Sequence, residues 1–209
     1  MIPDSSKLEV LLAELAQLCY GKGWVLGTSG NFSAVLNRDP FCMTITSTGL
    51  DKGSLSPEQF VHVDANGMVK EGSGLPSAET ALHLCAARLR QAGAVLHTHS
   101  VWSTMVSELH VGGGGLCLEG YEMLKGLRGV TSHTHREWVP ILENDQDMTR
   151  LAGTVEKVLT QYPEAHGFLL RGHGLYTWGE DLAEAKRHLE ILEFLLEVTG
   201  RTRFARLVA

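Results

Sequence analysis

The sequence predicts an α/β protein in three layers, with a central, largely antiparallel sheet flanked by helices. Short runs rich in β-branched residues occur in neighbouring pairs, which is typical of antiparallel strands. Longer segments with apolar residues at helical spacing separate these pairs. The chain has 209 residues, of which 44% are apolar and 20% charged, so we expect residues 1–209 to form one well-packed domain.

The first third of the chain supplies one clear helix and two strand pairs. Apolar residues recur at helical spacing over 5–22, and Gly21 or Gly23 is expected to end this helix. The dipeptide Asn66-Gly67 indicates a hairpin. Strands are predicted over 32–36, 41–48, 60–64 and 68–70.

The rest of the chain alternates helices with short apolar strands. A helix is predicted over 76–90, with Ser77 as its cap, and a long one over 182–199, ending at Gly200. Four consecutive glycines at 112–115 indicate a flexible loop. The other predicted elements are helices over 103–109 and 148–162 and strands over 94–97, 130–131, 138–142, 168–171 and 175–178.

Charge and composition argue against several classes of protein. The net charge of −6 lacks the basic footprint of a nucleic-acid-binding protein. The four cysteines have apolar neighbours and form no CxxC pair, which indicates buried free thiols in a reducing compartment. The N-terminus has no basic region typical of a signal peptide, and no apolar run approaches the roughly 20 residues of a membrane span. We therefore expect a cytoplasmic protein that binds neither nucleic acid nor membrane.

A histidine pair and one distant histidine form the candidate metal site. His97 and His99 follow an apolar strand, and side chains two residues apart on a strand point the same way. His173 stands between two glycines in a turn between apolar strands. Three imidazoles are what a catalytic zinc site usually takes from the protein, with the fourth position open. The alternative is two hydrogen-bonded histidines at a strand end and one surface histidine in a turn.

His133 and His135 form a second pair with the same spacing and compete for the role of metal ligands. They lie in a polar stretch rather than at the end of an apolar strand, which favours a substrate-facing or surface role. The remaining histidines are isolated and are interpreted as structural or surface residues: His62, His83, His110, His166 and His188.

Three polar turns, over 27–31, 46–49 and 76–79, are candidates for binding a phosphate group. Each offers hydroxyls and unhindered backbone N–H groups, and Ser77 also lies near a predicted helix N-terminus. Lys52 could add a positive charge. No GxxxxGK[ST] segment is present, which argues against nucleotide chemistry. The alternative for each segment is an ordinary turn.

Two glutamates are candidates for proton transfer. Glu79 begins a predicted helix beside the Ser77 turn, and Glu122 has apolar neighbours. We expect Glu122 to be partly buried, which would raise its pKa towards the range useful in catalysis. The alternative for either residue is a solvated surface carboxylate.

Several of these motifs together resemble one protein family. The segments GTSGNFS, TSTGLDKG, LPSAET, VLHTHS and RGHGLYTWG resemble, in this order, the signature segments of the class II aldolase/adducin family. The resemblance covers about residues 8–200. Within it, EMLKG is similar to the dehydratase branch of the family rather than to the aldolases and epimerases.

The resemblance implies a class II aldolase-like fold and a homotetramer with sites near subunit interfaces. It implies a dehydratase that acts on a small phosphorylated ketose, with Glu122 as acid and base and with Glu79 at the position where aldolases have a base or metal ligand. One Zn²⁺ per subunit would be held by His97, His99 and His173. The residues implied for phosphate are Gly30, Asn31, Thr48, Gly49 and Ser77.

Two other functions stay open from the sequence. A sugar-phosphate aldolase or 4-epimerase would use the same fold and metal, and Glu79 is compatible with either. A non-enzymatic scaffold, similar to adducin head domains, would lack the metal-binding histidines, whereas all three are present here.

Overall fold

The computed structural model describes residues 5–208, which form nine strands and five α-helices. The helices are α1 (Ser5–Gly21), α2 (Thr80–Leu89), α3 (Val101–His110), α4 (Met148–Gln161) and α5 (Leu182–Val208). The strands are β1 (Asn31–Arg38), β2 (Phe41–Thr46), β3 (Phe60–Val63), β4 (Val69–Glu71), β5 (Ala94–Thr98), β6 (Gly115–Glu119), β7 (Arg136–Leu142), β8 (Gly167–Leu170) and β9 (Gly174–Gly179).

The strands form one sheet in the order β4-β3-β2-β1-β5-β9-β8-β7-β6. Neighbouring strands are antiparallel except β7 and β8, which are parallel. The predicted central, largely antiparallel sheet is therefore confirmed. Within residues 5–208, no helix combines the length and apolarity needed to cross a membrane.

Two apolar cores cover the two faces of the sheet. Helices α1, α3 and α5 pack on one face, and α2 and α4 pack on the other. Because successive side chains of a strand point to opposite faces, Leu96 enters the first core and Val95 the second. The same alternation places His97 on the α2 side of the sheet and Thr98 on the α5 side.

One predicted strand and one predicted helix end are wrong. Residues 130–131 form no strand; the Val130 N–H instead donates to the Leu127 carbonyl in a turn. Helix α5 does not end at Gly200 but continues to Val208. The glycine is explained by the Trp102 ring, which faces it and which a larger side chain would overlap. A single glycine weakens a helix by only about 1 kcal/mol relative to alanine, so packing decides here.

Two loop predictions also need correction. Ser77 does not cap α2, which begins at Thr80 with Glu79 at the N-cap position; the Ser77 hydroxyl accepts a bond from the Glu79 N–H in the preceding turn. The four glycines are not one open loop, since a 3₁₀ turn covers Val111–Gly113 and β6 begins at Gly115. The cysteines are free thiols as predicted, although Cys42 and Cys117 are only half-buried.

A buried ion pair joins the end of the sheet opposite β4 to the loop before β8. The Glu137 carboxylate accepts a bond from the His166 backbone N–H at 2.9 Å and lies 3.1 Å from the His166 Nδ1. Burial alone would raise the pKa of Glu137, but its contacts with His166 and His135 outweigh burial and lower it. Burial opposes the charge on His166, and the bonds to Glu137 nevertheless raise the pKa of the imidazole.

Replacement of His166 by glutamine should destabilise the protein in a pH-dependent way. The charged pair stabilises the fold fully between pH 4.5 and 6.5, the ordinary pKa values of the two groups. The stabilisation is lost as pH rises through the raised pKa of His166, and as pH falls through the lowered pKa of Glu137. We expect His166→Gln to lower the free energy of unfolding by about 1.5–3 kcal/mol near pH 5.5 and by much less at pH 9.

Denaturant unfolding at both pH values measures this difference. The control is His133→Gln, because the His133 side chain is 57% exposed. An equal loss of stability at both pH values would contradict the ionised pair.

Candidate metal centre

Four side chains with metal-binding atoms converge at one end of β5. Ligand atoms of Glu79, His97, His99 and His173 all lie within 4.8 Å of one another. The Nε2 atom of His99 is 2.7 Å from that of His97 and 3.0 Å from that of His173. The Glu79 carboxylate oxygens lie 3.3 Å from His97 Nε2 and 3.2 Å from His173 Nε2. The structure thus brings together the three predicted histidines and adds Glu79 to them.

The register of three neighbouring strands places His97. In the sheet, His97 of β5 lies opposite Asn31 of β1 on one side and opposite Tyr176 of β9 on the other. The Tyr176 ring stacks on the His97 imidazole, with ring centroids 3.8 Å apart and planes 13° from parallel. The Nδ1 of His97 lies 2.9 Å from the Leu175 carbonyl oxygen. Since a carbonyl only accepts, Nδ1 carries the proton and the Nε2 lone pair is directed at the other ligands.

His173 lies in the turn between β8 and β9, next to the point where β9 begins to pair with β5. Gly174 follows it, and its backbone lies directly against the Thr98 carbonyl. A Cβ at residue 174 would collide with that carbonyl and would crowd the His97 ring. The glycine therefore allows the His173 turn to approach the end of β5 closely enough for the imidazoles to meet.

The histidines are neutral at physiological pH, which suits them to bind a cation. Burial, together with the neighbouring His99 and His173, holds the pKa of His97 well below its ordinary value. Burial and the charges of His173 and Lys52 lower the pKa of His99 to about 4. Burial also lowers the pKa of His173, against the opposing effect of the Glu79 carboxylate. Protons thus do not compete for the imidazole lone pairs near neutral pH.

The donor set fits a divalent transition metal. Neutral imidazole nitrogens with one carboxylate oxygen form the kind of ligand set that zinc and related ions accept. Hydrogen bonds among the three converging Nε2 atoms cannot satisfy every lone pair, because neutral rings supply too few protons. One bound cation would satisfy all three lone pairs at once. Two of the histidines also border open space, so a bound ion would be accessible to a substrate.

A cavity of about 350 Å³ opens beside His99 and His173. Its lining includes every residue that the sequence suggested for phosphate: Gly30, Asn31, Thr48, Gly49, Lys52 and Ser77. Three turns that are distant in sequence therefore meet next to the histidines. Sequence reasoning missed Asn144, Gln146 and Met148, which also line the cavity. The one available signal was the polar character of Asn144 and Gln146 shortly after an apolar strand.

Lys52 is the positively charged residue of this cavity. Its side chain is only 1% exposed, and its ammonium group donates to the Leu50 carbonyl at 2.7 Å and to the Thr28 carbonyl at 3.2 Å. Burial, partly offset by Asp51, lowers its pKa to about 8. Lys52 is therefore mostly protonated at neutral pH, and its partners are neutral carbonyls rather than carboxylates. Such a buried cation favours binding of an anion.

Glu122 lies outside this cavity. It begins a 3₁₀ turn over Glu122–Gly126, its side chain is 73% exposed, and a carboxylate oxygen is 2.5 Å from the Lys125 ammonium. The hydrogen bond and charge of Lys125 lower its pKa. The expected partial burial with a raised pKa is wrong, because the apolar neighbour Leu124 enters the core while Glu122 projects from the other side of the turn.

The second histidine pair does not join the metal cluster. The His133 Nδ1 is 3.9 Å from a Glu122 oxygen, and the His135 Nε2 is 2.9 Å from Glu137. Among the described residues, the four-residue group at Glu79 is the set whose atoms converge closely enough for a metal ion. The choice of His97 and His99 over His133 and His135 thus agrees with the geometry.

Comparison with known proteins places the chain in a family. Residues 10–199 match the family described as class II aldolase and adducin N-terminal domain. The chain belongs to this family. It is 50% identical to the methylthioribulose-1-phosphate dehydratase of Pectobacterium atrosepticum over 178 residues, which cover 84% of this chain and 85% of the relative. It is 42% identical to the enzyme of the same name from Sorangium cellulosum, over 92% of this chain and 91% of the relative.

Solved structures agree with this family. The L-fuculose-1-phosphate aldolase of Thermus thermophilus superposes with a TM-score of 0.73 at 25% identity, covering 93% of this chain and 94% of the aldolase. Another L-fuculose 1-phosphate aldolase gives a TM-score of 0.78 at 22% identity, over 97% of this chain and 88% of the aldolase, and supports the fold alone. Both the resemblance to the family and the predicted class II aldolase-like fold are confirmed.

Replacement of His173 by alanine should remove most of the bound metal. The wild-type chain is expected to retain about one divalent ion after desalting, and the variant under about a tenth of that, because it loses one of three imidazole ligands. Elemental analysis by mass spectrometry measures both. The matched control is His133→Ala, which removes a histidine of the rival pair. Loss of metal in the control, with retention in His173→Ala, would move the site to the rival pair.

Proposed function

We propose that this chain is a lyase that removes water from 5-methylthioribulose 1-phosphate and forms 5-methylthio-2,3-dioxopentyl phosphate, a step of methionine salvage. The observation that carries this proposal is one cavity lined both by residues of the metal-binding cluster and by the three polar turns with Lys52. Relatives that are 42–50% identical over most of the chain bear the name of this activity.

We propose zinc as the metal, held by His97, His99 and His173, with Glu79 within reach. A bound divalent cation supplies Lewis acidity, which polarises the carbonyl and hydroxyl oxygens of a ketose and makes the neighbouring C–H bond more acidic. The stacked Tyr176 ring and the Leu175 carbonyl hold His97 in one orientation, so little reorganisation is needed when the ion binds.

The phosphate group is proposed to bind among the polar turns that line the cavity. Gly30, Thr48, Gly49 and Ser77 belong to these turns, the hydroxyls of Thr48 and Ser77 are candidate donors, and Lys52 supplies the positive charge. The Asn31 side chain also lines the cavity, but its amide donates to the Glu79 carboxylate at 2.6 Å. We therefore assign Asn31 to the orientation of Glu79 as well as to the phosphate site.

Water loss requires one base and one acid. A base removes the proton from C3, the C4–O bond breaks, and an acid delivers a proton to the departing hydroxyl, so that water leaves and an enol remains. The enol then tautomerises to the diketone. We propose Glu122 for both proton transfers, as the family resemblance implies.

An exposed Glu122 outside its own cavity fits this role in an oligomer. We propose a cytoplasmic homotetramer in which each chain, one domain over residues 1–209, presents Glu122 to the cavity of a neighbouring subunit. The exposed position of Glu122 on a 3₁₀ turn, and the apolar Met123 exposed next to it, are compatible with such a contact.

An aldolase or 4-epimerase is the second candidate, and Glu79 is the observation that favours it. This carboxylate lies among the histidines, where it could serve as base or ligand without help from another subunit. Aldol cleavage would break a C–C bond and release dihydroxyacetone phosphate and an aldehyde, whereas dehydration keeps the carbon chain intact.

Incubation with 5-methylthioribulose 1-phosphate distinguishes these functions. We expect metal-loaded protein to form the diketone and water, observed by NMR and mass spectrometry, and a chelator to abolish turnover until zinc is restored. Formation of dihydroxyacetone phosphate would support the aldolase. No turnover with metal-loaded protein would refute the dehydratase.

Replacement of Glu122 by glutamine should lower kcat by about 10²-fold or more, because general acid–base catalysis contributes about 10²–10⁴-fold. Metal content should not change, since Glu122 lies outside the cluster. The matched control is Glu119→Gln, another exposed glutamate in an ion pair, here with Arg136 at 2.8 Å. Full activity of Glu122→Gln would return the role of base to Glu79.

Mixed oligomers test whether Glu122 acts between subunits. Glu122→Gln and His173→Ala chains, unfolded together and reassembled, should regain part of the wild-type activity, because some cavities then receive an intact cluster and an intact Glu122. No recovery in confirmed mixed oligomers would contradict a role between subunits.

A further inference from the structure

We propose that His83 is a positioning residue, which holds the Asn31 amide in one orientation and through it aims the Glu79 carboxylate at the three histidines. The relevance of this assignment to catalysis rests on the proposed function. The geometric part, which is the placement of Glu79 in the cluster, does not.

Residue spacing along α2 and along β1 brings the side chains around His83 together. Glu79 is the N-cap residue of α2, and His83 lies four residues later in the first turn, so the two side chains lie on the same side of the helix. Asn31 and Ser33 are two residues apart on β1, and therefore point to one face of the sheet. Since α2 packs on that face of the sheet, the two pairs meet.

The contacts form a continuous chain from the core to the metal cluster. The Ser33 hydroxyl is 2.7 Å from the His83 Nδ1, and the His83 Nε2 makes a short contact with the Asn31 Oδ1. The Asn31 Nδ2 then donates to Glu79 Oε2 at 2.6 Å. The same Glu79 oxygen lies 3.3 Å from the His97 Nε2.

The donors and acceptors allow one arrangement of protons. A carboxylate only accepts, so the Asn31 amide must present its NH₂ group to Glu79 and its carbonyl oxygen to His83. The His83 Nε2 must then carry the proton, and the Nδ1 accepts the Ser33 hydroxyl. His83 is fully buried, and burial lowers its pKa to about 3, which is consistent with a neutral ring with one donor and one acceptor.

Loss of the His83 donor would release the Asn31 amide. The amide could then rotate and present its carbonyl oxygen to the Glu79 carboxylate, which repels it. A buried carbonyl left without a partner is also unfavourable, by about 1–3 kcal/mol. The imidazole thus selects the amide orientation in which Glu79 is held, although its ring nitrogens bond Ser33 and Asn31 rather than Glu79 itself.

The direct test is the protonation site of His83 in the wild-type protein. Long-range ¹H–¹⁵N NMR of the metal-loaded protein distinguishes the two neutral forms of a histidine ring. We expect the Nε2-protonated form. The Nδ1-protonated form would overturn the proposal, because the Asn31 carbonyl would then have no donor. This measurement requires no variant that folds.

Variants test the consequence for the cluster. With Co²⁺ as the probe ion, His83→Leu should change the visible absorption bands, which report the ligand arrangement, and lower kcat by about 10- to 100-fold with KM little changed. His83→Gln, which keeps a donor and an acceptor, should restore most of both. The matched control is His188→Leu, since His188 is also a buried, hydrogen-bonded histidine but bonds the Trp178 carbonyl, away from the cluster.

A double-mutant cycle separates positioning from general destabilisation. In an Asn31→Ala background, His83→Leu should cause no further change in the Co²⁺ bands or in kcat, because the group through which it acts is gone. Additive effects, or equal effects of His83→Leu and His188→Leu, would overturn the proposal. If metal-loaded wild type shows no dehydration while the Co²⁺ bands respond as expected, the proposed function fails and the positioning role stands.

Discussion

The register between β1, β5 and β9 is the constraint on which the metal centre depends. It sets Asn31, His97 and Tyr176 side by side on the face of the sheet that α2 and α4 cover. From this row, Asn31 reaches Glu79, Tyr176 stacks on His97, and β9 brings the His173 turn to the end of β5. A slip of one residue in either pairing would turn His97 towards α5 and dismantle the cluster.

Local patterns in the sequence were sufficient for the parts of the site that lie on one element. The two-residue spacing of His97 and His99 predicts that both point the same way, and the structure brings their Nε2 atoms to 2.7 Å. The strand order could not be predicted, because β9 lies next to β5 in the sheet although about 75 residues separate the two strands in the sequence. His173 was thus a candidate third ligand from its glycine-flanked turn and from family resemblance, but its meeting with the pair could not be derived from spacing.

The failures have a common physical cause, which is tertiary packing that overrides a local signal. Gly200 reads as a helix end, but the Trp102 ring occupies the space where a side chain would stand, so α5 continues. Glu122 has apolar neighbours, yet the turn directs Leu124 inward and Glu122 outward. His83 looked isolated because its partners lie on a strand 50 residues earlier; its four-residue spacing from Glu79 was the overlooked signal.

The contact between Gly174 and the Thr98 carbonyl also limits how this scaffold can evolve. The backbones of two segments that carry metal ligands touch there. A side chain at residue 174 could therefore be accommodated only if the backbone next to His97 moved. Sequence variation that changes substrate choice is thus directed to other parts of the cavity lining, such as Asn144 and Gln146, which lie in the loop between β7 and α4. New specificities on this framework should arise in that loop, with the cluster itself left unaltered.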